Sequence, residues 1–298
     1  MNELLQYKLI GLGEFSHGIQ ESWEFRFNLL KYAMKNTNKK IMIFNEMSIY
    51  QAEHIINNTI WSIKENKDIK YDGIKIEEPI QNGNSVFGKL WQYCGHATDS
   101  KIFLEIIKYI RKHKDRITII GIDNDKLDRD YDMYKIIMKN YDENNINFLW
   151  GHNHHISTMN LSDDTFKYIK NKNHKYYCGY YLKKKLKDNY CIVLSQAYEG
   201  ENRFNGYCKG ENCNERTFQL KYFNKKFKYD KNKKYVNENI SDNNNNNYQL
   251  LTDYKEPLIS FSNSYYEGNK YGVQNYDEIK LNNFNYVLFW NKVSRLLV

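Results

Sequence analysis

Leu9-Ile10-Gly11-Leu12 runs straight into Gly13-Glu14-Phe15-Ser16-His17-Gly18, and far downstream Ile146-Asn147-Phe148-Leu149-Trp150 runs into Gly151-His152-Asn153-His154-His155. Each stretch is a short, nearly continuous apolar run followed by glycine and then by ionisable residues. Such runs fit strands buried on both faces, as in a parallel sheet covered by helices. In sheets of that kind ligands bind outside the carboxyl ends of the strands. Two histidine-bearing segments at strand ends therefore predict one crevice lined with imidazoles and carboxylates, and that combination reads as a catalytic site.

Outward from these two segments, strand-like and helix-like apolar periods alternate. Tyr7 to Leu12 is the first expected strand. A helix follows, with Ser16 as its expected N-cap and Ile19, Trp23, Phe27, Leu30 and Met34 at helical spacing until Asn36 and Asn38 end it. Lys40 to Phe44 is the second strand and ends at Asn45-Glu46; a helix is expected from Gln51 to about Glu65. Further helices are expected near Ser100 to Lys112, Asp130 to Tyr141 and Gly179 to Leu186. Strands are expected at Ile117 to Gly121, with Asp123 at the carboxyl end, at Ile146 to Trp150 and at Tyr190 to Ala197. Two late apolar segments, Leu258 to Phe261 and Tyr286 to Trp290, predict a return to the core and a final strand. The fold expected is α/β: a mostly parallel central sheet flanked by helices in three layers, forming one domain over residues 1–298. The asparagine run from Asn243 to Asn247 marks an exposed low-complexity loop around residues 236–250.

The formal charge is +8, but the excess is spread along the chain. The densest basic runs, Lys183-Lys184-Lys185 with Lys187 and the stretch from Lys221 to Lys234, sit in a chain rich in Lys, Asn, Ile and Tyr. Codon bias of an A/T-rich genome explains them more economically than a binding patch, so neither a nucleic-acid nor a membrane partner is expected. Five cysteines with no CxxC pair fit a reduced, intracellular protein. With no signal core and no apolar segment of membrane-spanning length, a soluble cytoplasmic protein is expected.

His17 falls at the expected start of the first helix, where unpaired backbone amides lower an imidazole's pKa and favour the neutral form that a general base needs. Glu14 stands three residues earlier, placed to accept a proton from His17 and fix its tautomer, or to be the base itself; simple helix capping is the competing explanation. Arg26 falls on the apolar stripe between Trp23 and Phe27. Helical side chains lean toward the N-terminus, so its guanidinium is expected to reach back to Glu14 and Glu46 unless it snorkels to solvent. Glu46 and Asp123 each close an apolar strand, where a carboxylate can orient a histidine, bind a metal or cap a helix. A turn at Asn153 would bring His152 and His155 together. The other histidines, His54, His96, His113 and His174, are expected at the surface without partners. There is no GxSxG elbow, Walker loop or HExxH helix, which argues against a serine-elbow hydrolase, a P-loop NTPase and a zincin.

The order Gly13-Glu14-Phe15-Ser16-His17-Gly18, Arg26, Glu46, Gly121-Ile122-Asp123 and His152-Asn153-His154-His155 resembles the erythromycin esterase family. Gly179-Tyr180-Tyr181-Leu182 and Tyr198-Glu199-Gly200 are similar to that family's downstream segments, so the likeness covers roughly residues 7–205. The resemblance implies ester hydrolysis, known for opening macrolide lactones, by a histidine-activated water with no covalent serine intermediate. It assigns the base to His17, its partner to Glu14, charge and orientation to Glu46 and Arg26, and carbonyl polarisation to His152 and His155. Asn153 and Asp123 are expected to touch substrate. Members acting on macrolides carry a longer helical segment between the GxD and HNxH elements; here one helix separates Asp123 from His152, and the smaller cleft argues against macrolides.

The expected partner is thus a small-molecule ester or lactone, with no cofactor. Two alternatives compete. Glu14, His17, Glu46, His152 and His155 have the N and O donors of a Zn²⁺ or Mn²⁺ site, which would make the chain a metal-dependent hydrolase. A catalytically silent homologue would use the same pocket to bind a ligand.

Overall fold

The computed structural model describes residues 1–15, 19–48, 52, 70–71, 74–75, 100–123, 128–161, 171–204, 216–219, 248–251, 258–262, 275–279 and 284–294. A helical turn, α1 (Asn2–Leu5), precedes β1 (Leu9–Glu14), and every residue of β1 is buried. α2 (Gln20–Asn36) leads to β2 (Ile41–Ser48). A small antiparallel pair, β3 (Lys70–Tyr71) and β4 (Ile74–Lys75), comes before α3 (Lys101–Lys112) and β5 (Ile117–Asp123). α4 (Arg129–Asn140) connects β5 to β6 (Ile146–His152), and a single turn, α5 (Asn153–Ile156), follows at once. α6 (Cys178–Leu186) leads through a 3-10 turn at Lys187–Asn189 to the long β7 (Tyr190–Phe204). The later strands are β8 (Arg216–Gln219), β9 (Tyr248–Leu251), β10 (Leu258–Ser262), β11 (Asn275–Ile279) and β12 (Tyr286–Val293).

The main sheet runs β5-β2-β6-β1-β7-β12 with all neighbours parallel, and β9 closes one edge antiparallel to β12. Alternation along the strands sends successive side chains to opposite faces. On one face Ile10, Leu12, Ile41, Ile43, Phe148 and Trp150 pack with α2 and α3; on the other Leu9, Phe44, Leu149, Ile192 and Leu194 pack with α4 and α6. This is the three-layer α/β architecture expected from the double-sided apolar runs. Ser100 caps α3, its hydroxyl accepting the Phe103 amide at 3.3 Å. Parallel register sets the carboxyl ends level: Glu14 lies opposite His152, and Asn45 lies opposite both Trp150 and Gly121.

Several expected boundaries move. β2 continues through Glu46 to Ser48, with a register shift against β5 beyond Asn45, because its polar end is still paired to neighbouring strands. α2 starts at Gln20 with extended Ile19 in the N-cap position, so Ser16 is not the cap and the helix begins after His17. Leu258 to Phe261 does not rejoin the main sheet; β10 pairs antiparallel with β11. Residues 248–250, expected in the exposed loop, belong to edge strand β9, and the rest of that loop lies outside the described residues. The helix expected from Gln51 to Glu65 also lies outside them, apart from Ala52. No helix among the described residues is long and apolar enough to cross a membrane.

Three glycines allow close approach between the layers. A Cβ on Gly11 would lie 2.7 Å from the Tyr190 hydroxyl, and one on Gly13 would collide with the Asn153 side-chain oxygen. At Gly179, near the start of α6, it would collide with the Ile156 carbonyl oxygen of α5. That obstacle is backbone and cannot rotate aside. Gly179→Ala should therefore destabilise the fold by about 1–3 kcal/mol or more, the usual cost of overpacking, in urea denaturation; an unchanged midpoint would contradict this packing.

Candidate active site

Arg26 is 2% exposed, although it belongs to the apolar face of α2. Its guanidinium reaches back to the sheet as the lean of helical side chains requires. Nη1 donates to Glu14 Oε2 at 3.0 Å, and Nη2 donates to the carbonyls of Leu12 at 2.9 Å and Gly151 at 3.0 Å. The same cation sits 4.6 Å from the Trp23 ring centroid, and Trp23 meets Trp150 edge-on. Arg26 thus ties together the last turns of β1 and β6 while neutralising the buried carboxylate between them. Burial lowers its pKa and Glu14 pushes it back up, and a guanidinium stays charged in such a place. Snorkelling to solvent is excluded.

A second network surrounds Glu46. Its Oε2 accepts the backbone amide of His152 at 2.6 Å. Its Oε1 accepts Arg129 Nη2 at 3.0 Å and faces His155 Nε2 at 3.1 Å. Arg129 binds Asp123 with two nitrogens, Nε at 2.8 Å and Nη2 at 2.5 Å. The other ring nitrogen of His155 lies 2.7 Å from Asp130 Oδ1, which also accepts the Cys178 amide at 3.0 Å. Burial alone would lower the pKa of His155, but Asp130 and Glu46 outweigh burial and the opposing Arg129, and the pKa is pushed up to about 10. The ring is therefore an imidazolium at neutral pH, and both N–H groups point at carboxylates. For Arg129 burial also acts downward, and the adjoining Asp123, Glu46 and Asp130 carry its pKa above the ordinary value.

The histidine segment folds as strand end plus helical turn. His152 closes β6 and caps α5, its Nδ1 accepting the His154 amide at 3.4 Å. The His154 ring lies 4.8 Å from that of His152 and stacks at 5.3 Å on Tyr177, which His155 meets edge-on. Asn153 turns inward. Its amide nitrogen donates to the Ser195 carbonyl at 2.9 Å and its oxygen accepts the Ser195 amide at 3.0 Å. Asn153, expected to touch substrate, uses both ends of its amide to clamp α5 to β7, and its side chain is fully buried.

The structure thus brings together Glu14 with Arg26, and Glu46 with Asp123, His152 and His155, at the ends of four parallel strands. His17 lies outside the described residues. His155 keeps its place in the site, but with both ring nitrogens engaged it has no free N–H to aim at a carbonyl. Asp123 is committed to Arg129 through both oxygens. Among the described residues no group of three His, Cys, Asp or Glu side chains is arranged to hold a metal ion. Burial, and then the nearby Asp130 and Glu46 carboxylates, push the Cys178 thiol pKa well above its usual range, so it is no thiolate nucleophile. His174 is not a partnerless surface residue: it stacks on Tyr131 at 3.7 Å and faces Asp128 at 3.5 Å. His113 tilts against Tyr109, and His54 and His96 lie outside the described residues. Sequence reasoning passed over Arg129 and Asp130. Their signal was an Arg-Asp pair opening the helix that follows the strand ending in Asp123.

Arg26→Met should leave the Glu14 carboxylate buried without its cation and cost about 3–5 kcal/mol in urea denaturation; a loss near zero would mean that Glu14 is satisfied without the arginine. The His155 shift has a defined sign. A ring whose folded pKa lies near 10, above its ordinary 6.5, adds stability that is complete below about pH 6.5 and fades as pH rises through 10. Melting temperatures of the native protein should fall over that window more steeply than those of His155→Gln. Parallel curves for the two proteins would place the charge elsewhere.

No protein-family model matches the chain, and no curated protein matches it by sequence. Among solved structures it is similar to a succinoglycan biosynthesis protein, with TM-score 0.60 and 13% identity over 99% of this chain and 90% of the other. It is also similar to a Bacillus cereus protein, with TM-score 0.57 and 12% identity over 100% and 91% of the two chains. A third is a mutant erythromycin esterase in its open conformation, with TM-score 0.55 and 10% identity over 99% of this chain and 93% of that one. At these identities the likeness is one of fold: the chain has an α/β architecture that an erythromycin esterase also adopts.

Proposed function

We propose that this chain hydrolyses an ester or lactone of a small molecule, using a histidine-activated water and no covalent enzyme intermediate. One observation carries the proposal: motif residues scattered from Glu14 to His155 converge on adjoining buried networks at the carboxyl ends of neighbouring strands. That is where an open parallel sheet binds its ligand. The motif order resembling erythromycin esterases, and the fold shared with one of them, support the same choice.

In this mechanism His17 takes a proton from water as the water oxygen attacks the carbonyl carbon. The tetrahedral oxyanion collapses, and the leaving alkoxide recovers that proton from His17. Glu14, paired with Arg26, orients the base. His152, whose Nδ1 accepts the His154 amide, closes β6 at the crevice and is assigned the polarisation of the ester carbonyl. His155 acts at one remove, as the fixed cation beside Glu46. A divalent ion held by Glu14, Glu46, His152 and His155 would have to displace Arg26 from Glu14 and free His155 from two carboxylates. As arranged, these residues fit a metal poorly.

The test is a panel of short-chain p-nitrophenyl esters and simple lactones with purified protein. His17→Ala should lose about 10²–10⁴-fold in kcat, the range for a general base, and chelation should leave wild-type turnover unchanged. A His17→Ala protein with wild-type turnover would end the base assignment. Activity lost to chelator and restored by Zn²⁺ or Mn²⁺ would replace this mechanism with a metal-dependent one.

A further inference from the structure

We propose that Asp130 is a positioning residue: its Oδ1 holds Nδ1–H of His155 and the backbone N–H of Cys178 together, and so aims Nε2–H of His155 at Glu46. The role in turnover rests on the hydrolase proposal above, and Asp130 belongs to none of the motifs that prompted it.

The geometry makes the case. Asp130 lies in the first turn of α4, where an exposed carboxylate would complement the helix dipole. Instead it is buried and turned toward the strand ends. A buried carboxylate is costly unless charged and polar donors satisfy it. Two donors do so here, and they come from different elements: His155 from α5 and the Cys178 amide from the start of α6. With Nδ1–H held at 2.7 Å, the imidazole cannot rotate without breaking a charge-assisted bond, so Nε2–H stays directed at Glu46 Oε1 at 3.1 Å. Glu46 is then fixed from three sides, by His155, by Arg129 and by the His152 amide. The neighbouring Arg129 completes the device from the same helical turn, because it links Glu46 to Asp123. The first turn of α4 thereby sets the orientation of the carboxylate that meets the histidine-bearing end of β6.

Asp130→Asn separates positioning by charge from shape, since it keeps an acceptor oxygen and the side-chain volume. The expected result is a fall in kcat of about 10–100-fold, the usual effect of removing an orienting partner, with KM within about twofold. A merely structural aspartate would lower the melting temperature and leave the kcat of the folded fraction unchanged, which would overturn the proposal. The second readout needs no activity: NMR of the ¹⁵N-labelled native protein should show two slowly exchanging ring N–H protons on His155, and Asp130→Asn should shift or abolish the Nδ1 signal. A single ring N–H in the native protein, or both signals unmoved in the variant, would overturn the proposal even if the variant folds poorly. If the native protein hydrolyses nothing, the hydrolase proposal fails and the ring protons alone decide the role of Asp130.

Discussion

The Glu46 carboxylate is the joint of the site. One oxygen accepts the main-chain amide of His152, and the other meets Arg129 and His155. A single side chain from β2 therefore fixes the end of β6, the first turn of α4 and the imidazole on α5. The arrangement depends on parallel register, which places the end of β2 beside the end of β6. Within such a buried setting each charge must meet an opposite charge or a hydrogen-bond donor. That requirement explains why carboxylates and cations alternate from Asp123 through Arg129, Glu46 and His155 to Asp130.

Arg26 and Glu14 form the companion pair on the other side of the β1–β6 seam. Arg26 answers two main-chain carbonyls as well as the carboxylate. Its loss would thus free strand ends as well as a charge. Close packing beneath the site serves the same end: Gly13 makes room for Asn153, and the Asn153 amide in turn locks α5 to β7. The turn carrying His154 and His155 is held by this clamp from below and by Tyr177 from the side.

Much of this was legible in the sequence, for reasons that are local. Leu9 to Leu12, Ile117 to Gly121, Ile146 to Trp150 and Cys191 to Leu194 read as strands because burial on both faces removes polar alternation. Arg26 stood out because a lone charge in an apolar stripe needs a partner, and Glu14 was within reach of its lean. What was not legible depends on contacts distant in sequence. Asn153 looked like a ligand group because its partner, Ser195, lies 42 residues on. The charge of His155 is set by Glu46 and Asp130 from two other elements, so its segment alone suggested a free ring. His174 looked solitary for the same reason, since Tyr131 and Asp128 come from the other side of β6. The polar end of β2 hid the continuation of that strand through Glu46.

The central claim is that the imidazole of the GExxHG segment and that of the HNxH segment serve one substrate carbonyl. A crystal structure with a bound phosphonate ester, a stable mimic of the tetrahedral intermediate, tests it most directly. Phosphonyl oxygens are expected within about 3 Å of both the His152 and the His17 rings, the distance at which donors stabilise an oxyanion. An analogue seated elsewhere, or the two rings on opposite sides of the sheet, would contradict it.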